Sequence, residues 1–165
     1  GMLEAPQETT ALHELMDRSY SGASAHLRDI VSGDRRLDAA GVLTATTGMR
    51  VLSLATVTAA GEPRISAVDG HFLHGTWTFG TDGSSIKARH LATRPAVSLA
   101  YVDGERCGIF SHGYAHQLRP TDAPYAETIA HWAAHYGSDP TTWGPDVRMY
   151  RVELTWLVGY ANAAD

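Results

Sequence analysis

The sequence predicts a mainly β protein, an antiparallel barrel of about six strands with helices at its ends. Three observations carry that class. Short runs rich in Val, Ile, Thr, Phe and Trp recur between turns built on Gly, Pro and Asp. One helical stretch follows the third strand and another precedes the last, which is not the strand-helix alternation of a parallel sheet. A length of 165 residues, 44% of them hydrophobic, suffices for one domain with a proper core and is too short for two comfortable ones.

Met2 to Gln7 reads as a frayed end. From about Thr9 to Val31, Leu12, Leu15, Met16, Ala23, Leu27 and Ile30 recur at helical spacing, interrupted by Ser21-Gly22. This predicts one broken helix or two short ones, packed on the barrel or on a partner subunit. Ser32-Gly33-Asp34 stops the run, and Arg35 to Thr46 reads as a further short helix. The chain thus divides into an N-terminal helical extension over residues 1–40 and a barrel domain over residues 41–165.

The stretch from Val51 to Leu91 reads as strand, turn, long strand, tight turn, strand, helix. Ala59-Ala60-Gly61-Glu62 and His74-Gly75 supply the turns. The third strand runs through Gly80, Thr81 and Asp82 into Gly83-Ser84-Ser85, which predicts an N-cap for a helix holding the only lysine of the chain, Lys87. A short hydroxyl-rich link into a helix, with one cation in its first turn, is chemistry suited to a phosphate. Backbone N–H groups and the helix dipole favour an anion there, and an ammonium adds charge-assisted hydrogen bonds.

Arg94-Pro95 ends that helix, since a residue before proline is pushed out of the helical region. Ala96 to Val102 is a strand, Asp103-Gly104 a hairpin turn, and Arg106 to Leu118 the returning strand, with Gly108 and Gly113 permitting a bulge or a close backbone approach. Thr121 is expected to cap a helix from about Asp122 to His135, ended by Gly137. Ser138 to Pro145 is a loop, and Arg148 to Tyr160 alternates as a final strand.

The formal charge of −5, with acidic and basic residues mixed along the chain, argues against nucleic acid or an anionic membrane as partner. One cysteine, Cys107, excludes an internal disulfide framework. No apolar run has the length of a membrane span or the character of a signal sequence, so a cytoplasmic location is expected.

The combination LATVTAAGEPRISAV, then TWTFGTDGSSIKARHLATRPAVSLAYV, then MYRVELTWLVGY resembles the pyridoxamine 5′-phosphate oxidase-like family of flavin-binding split barrels, over roughly Gly41 to Ala161. The resemblance implies a six-stranded split barrel, a homodimer, and FMN in a groove at the subunit interface. It places Gly80, Thr81, Ser84, Ser85 and Lys87 on the phosphate, and Arg64, Ser66, Ala67 and Val68 along the flavin. Two departures stand out. Ile86 occupies a place where many members carry a second cation, which implies either a lower phosphate affinity or compensation by Arg89 or Arg64. Arg151-Val152-Glu153 stands where true pyridoxamine phosphate oxidases have an arginine-x-histidine pair, which argues against the vitamin B6 reaction itself.

Period-two alternation puts Arg64, Ser66 and Val68 on one face of the second strand, and Trp77, Phe79 and Thr81 on one face of the third. Either face is a source of donors for a flavin. The nine histidines do not suggest a metal site: His112 and His116 are too far apart on a strand, and His131 and His135, although four apart on a helix, lack the glutamate of an HExxH motif. Three functions follow: an FMN-dependent oxidoreductase acting on a small molecule, a reductase of the same fold using the deazaflavin F420, or a non-enzymatic flavin- or haem-binding protein. The acidic tail of F420 calls for a basic groove, which one lysine does not supply.

Overall fold

The computed structural model describes residues 1–162, and its framework is a closed barrel of six antiparallel strands in the order β1-β2-β3-β6-β5-β4. Strand β1 (Met49–Val57) turns back into β2 (Pro63–Leu73), and β2 into β3 (Thr76–Asp82). The first turn is closed by the Gly61 N–H on the Thr58 carbonyl at 2.9 Å. The second has two successive residues at positive φ, His74 at 52° and Gly75 at 78°, which is what a two-residue hairpin of matching twist requires.

Helix α4 (Ile86–Thr93) follows β3 and closes one end of the barrel. Ser85 caps it by accepting the Ala88 N–H at 3.2 Å, Ala88 and Leu91 are buried, and His90 bonds through Nδ1 to the Thr56 hydroxyl on β1 at 2.9 Å. Strands β4 (Ala96–Asp103) and β5 (Cys107–Gln117) form the third hairpin. The long β6 (Val147–Ala161) pairs with both β5 and β3 and so closes the barrel. Its register against β5 shifts between His112 and Gly113, where a Cβ on Gly113 would collide with the Glu153 carbonyl. The expected bulge is there because only glycine fits.

Inward-facing Leu52, Leu54, Val68, Phe72, Trp77, Phe79, Val152 and Leu157 fill the barrel. Phe72 meets Trp77 edge to face at 5.0 Å, and Phe79 stacks on Tyr150 at 5.1 Å.

The N-terminal region is two helices, α1 (Pro6–Ser21) and α2 (Ala25–Ile30), broken where Ser21-Gly22 predicts. Leu12, Leu15 and Met16 of α1 join the barrel core, so this face of α1 covers the barrel. Ser19 fixes the contact, accepting the Leu157 N–H at 3.0 Å. The expected fraying before α1 is not seen: Met2 adds itself to the β2 end, its N–H on the Phe72 carbonyl at 3.0 Å. Helix α3 (Ala39–Ala45) is shorter than the Arg35–Thr46 reading. Arg36 bridges to Tyr160 and the Leu37 N–H bonds to the Gly159 carbonyl at 2.9 Å, so this backbone is taken up by the sheet until Asp38 caps the helix. Helix α5 (Tyr125–Tyr136) begins three residues later than Asp122, because Pro124 holds Ala123 out of the helical region. It lies on the outside of the barrel, where Trp132 packs with Leu73, Leu118 and Met149. No helix among the described residues is long and apolar enough to cross a membrane.

Candidate functional site

The β2–β3 ladder runs only from Leu73↔Thr76 to Gly70↔Phe79 and then stops. Beyond it β2 stays with β1 as far as Pro63, while β3 leaves to pair with β6 through Asp82. The two strands therefore splay, and the side of β2 that faces β3 has no ladder partner from Asp69 back to Pro63. An unpaired strand edge offers a row of N–H and C=O groups to whatever fills the gap.

The gap is a groove of about 360 Å³, lined by Ala67, Val68 and Asp69 of β2, Gly80, Thr81 and Asp82 of β3, Lys87 of α4, Trp132 of α5, Trp143 of the following loop, and Val147 and Met149 of β6. Of the residues singled out in the sequence, it brings together Ala67, Val68, Gly80, Thr81 and Lys87. Ser85 stands just behind, its hydroxyl 3.0 Å from that of Thr81 while it caps α4.

Several of the sequence expectations differ in the structure. Ser84 is committed elsewhere: its N–H and hydroxyl both bond to Asp82 Oδ1, at 2.8 and 2.6 Å, forming an Asx turn. Arg64 does not line the groove and pairs with Glu62 at 3.0 Å beside the β1–β2 turn. Ser66, opposite the buried Leu54, lies on the inward phase of β2 and is likewise not a lining residue. The groove takes the other phase of the strand, Ala67 and Asp69, with Val68 at the wall between them. On β3, Trp77 and Phe79 are consumed by the core, and the end of the strand, Gly80, Thr81 and Asp82, lines the groove. No second cation replaces the one missing at Ile86: Arg64 and Arg89 are outside the groove, and Arg148, in register with Thr81, turns to Asp146 at 3.0 Å.

Hydrogen bonds from the Ser84 hydroxyl and N–H, with Arg148 nearby, hold the Asp82 carboxyl below its usual range. That anion is already satisfied on one oxygen, and Lys87 is the single ammonium at this end. At the other end Asp69 accepts the Tyr136 O–H at 2.7 Å, and Tyr136 meets Nε2 of His71 at 3.1 Å. His71 is fully buried, and burial, followed by the neighbouring His131 and His135, pulls its pKa down to about 4. Burial and the Asp69 carboxylate push the Tyr136 hydroxyl upward. Among the described residues no group of three His, Cys, Asp or Glu side chains can hold a metal ion. His112 and His116 are separately engaged, with Ser98 and Glu153.

Asp69, Trp132 and Trp143 are lining residues that the sequence reading missed. Trp132 reads as the apolar side of a helix, which it also is, and its indole N–H reaches Thr78 at 3.1 Å.

Residues 42–158 match the family model described as Pyridoxamine 5′-phosphate oxidase. The chain belongs to this family. No curated protein matches the sequence. Among solved structures the family fold recurs in the protein Atu2129 from Agrobacterium tumefaciens, of unknown function, at 25% identity and a TM-score of 0.58, covering 70% of this chain and 52% of that one. The chain thus spans about half the length of Atu2129. An FAD-binding protein (mll6688) from Mesorhizobium loti is similar at 16% identity and a TM-score of 0.61, covering 78% of this chain and 98% of that one. HutZ, a heme storage protein from Vibrio cholerae, is similar at 18% identity and a TM-score of 0.59, covering 74% and 89%.

Proposed function

We propose that this family member is an FMN-dependent oxidoreductase acting on a small molecule. The observation that carries the reading is the groove itself: an unpaired β2 edge lies opposite a β3 end whose Thr81 hydroxyl touches the Ser85 cap of α4, and Lys87 of that helix lines the same groove. The residues fit the group. Lys87 and the hydroxyls suit a phosphate dianion, and the free edge at Ala67, Val68 and Asp69 offers backbone donors and acceptors to a ring with polar edges. Trp143, Val147 and Met149 add an apolar wall. A bound flavin supplies the electron or hydride transfer. The chain then has to bind it, exclude water from one face and place the substrate over the other.

The proposal includes a homodimer with the cofactor at the subunit interface. Supporting it, the outward face of β1, β2 and β4 beside the groove exposes Val51 (56%), Ile65 (76%) and Val102 (54%), an apolar surface of the kind that a second copy covers.

The test is cofactor identification by absorbance and mass spectrometry on protein purified from its native host. FMN released on denaturation supports the reading. A violet-shifted chromophore identified as F420, a Soret band from haem, or protein that takes up none of the three would overturn it.

A further inference from the structure

Resting on the flavin reading of the groove, we propose that Asp69 is its substrate-selecting group, a fixed carboxylate that takes the cationic end of a small organic ammonium compound. The argument begins with hydrogens. A tyrosine hydroxyl has one, and Tyr136 gives it to Asp69 Oδ2 at 2.7 Å. The 3.1 Å contact between Tyr136 and His71 must then be His71 Nε2–H donating to the phenol oxygen. This assigns the tautomer of His71 and leaves its Nδ1 a bare acceptor, and that atom is buried with no partner.

The relay His71→Tyr136→Asp69 therefore leaves one buried acceptor, His71 Nδ1, unsatisfied. It leaves Asp69 held by a donor that cannot reverse. The phenol has no second hydrogen, and His71, fully buried beside His131 and His135, stays neutral. Asp69 is therefore a permanent acceptor with one oxygen still open to the groove.

Its surroundings define the ligand. No Lys, Arg or His side chain pairs with Asp69 among the described residues. The second carboxylate of the groove, Asp82, is by contrast engaged by Ser84. Two indoles, Trp132 and Trp143, line the same groove, and Trp143 is half exposed. An unpaired carboxylate in a groove that indoles also line can attract a cation by charge and by the ring quadrupole. The groove thus has two poles, with Lys87 suited to an anion and Asp69 to a cation.

The experiment titrates benzylammonium and benzoate, of nearly equal size and opposite charge, into the protein near neutral pH, read by tryptophan fluorescence both with and without FMN. The wild type is expected to prefer benzylammonium by about tenfold or more, and Asp69→Asn to reduce that preference to about twofold or less. Tyr136→Phe, which removes the hydroxyl that donates to Asp69 and accepts from His71, should weaken benzylammonium and leave benzoate unchanged. Equal binding of the two probes, preference for benzoate, binding of neither, or a preference that survives in Asp69→Asn would overturn the proposal. The two readings separate cleanly: a benzylammonium preference in protein that never binds FMN would sink the flavin function alone.

Discussion

The hydroxyl of Thr81, one residue from the end of β3, lies 3.0 Å from the hydroxyl of Ser85, the cap of α4. The strand end and the helix start are thereby locked to each other before any ligand arrives. Ser85→Ala removes this tie and the cap on the Ala88 N–H together. The expected loss is about 1 kcal/mol of stability, measured by urea denaturation, with a weaker hold on FMN measured by fluorescence titration. Ser84→Ala removes a hydroxyl that serves only Asp82, and its FMN affinity should stay within about twofold of wild type.

His71 makes stability fall on the acid side. Its pKa in the folded protein, about 4, lies below the ordinary value of 6.5 because burial disfavours the charged ring. A group whose folded pKa is depressed in this way, and which is neutral when deprotonated, contributes stability above pH 6.5. The contribution is lost as pH falls from there towards 4, because the unfolded chain binds the proton first. The full effect is about 3 kcal/mol. Chemical denaturation between pH 7 and pH 4.5 should show the slope in the wild type and lose much of it in His71→Phe.

His74 acts in the opposite sense. It bridges α1 and α5, with Nδ1 at 3.1 Å from Glu8 and Nε2 at 2.6 Å from Glu127. Burial opposes charging this ring, but the two carboxylates outweigh it, so its pKa is raised. The stabilisation is fully present below the unfolded value near 6.5 and disappears as pH rises through the folded value. Asn tolerates the positive φ of this turn position, so His74→Asn isolates the ring's contribution. It should destabilise at pH 6 and have a smaller effect at pH 9, as followed by thermal unfolding.

Gly113 tests the barrel closure. A Cβ there would meet the Glu153 carbonyl, which belongs to backbone and cannot swing aside. Gly113→Ala should cost about 3 kcal/mol, whereas Gly104→Asn, at a positive-φ turn with open space, should cost about 1 kcal/mol or less.

Much of this was legible in the residues, and the failures have particular causes. Strand alternation and the turn residues at Gly61, His74-Gly75 and Gly104 locate the hairpins, because those signals are local. Thr81 and Lys87 are legible for the same reason, as they sit on one short link. The phase of β2 was not: alternation says that Ser66 and Ala67 face opposite ways, and only the filled barrel interior decides which faces the groove. Asp69, Trp132 and Trp143 come from three segments that meet only after α5 folds back on the barrel. At Ser84 two local signals compete, since Asp82-Gly83-Ser84 is also an Asx-turn sequence, and in the structure Asp82 takes the hydroxyl. Arg36 and Leu37 read as helix because nothing local announces that their backbone will pair with β6.

The central claim is that Lys87 holds the phosphate of a flavin in the gap between β2 and β3. Fluorescence titration of FMN into wild type and Lys87→Ala tests it most directly. A charge-assisted contact is worth about 1.5–3 kcal/mol, so the account predicts saturable binding by the wild type and a loss of about tenfold to a hundredfold in the variant. Unchanged FMN affinity in a folded Lys87→Ala protein would contradict it.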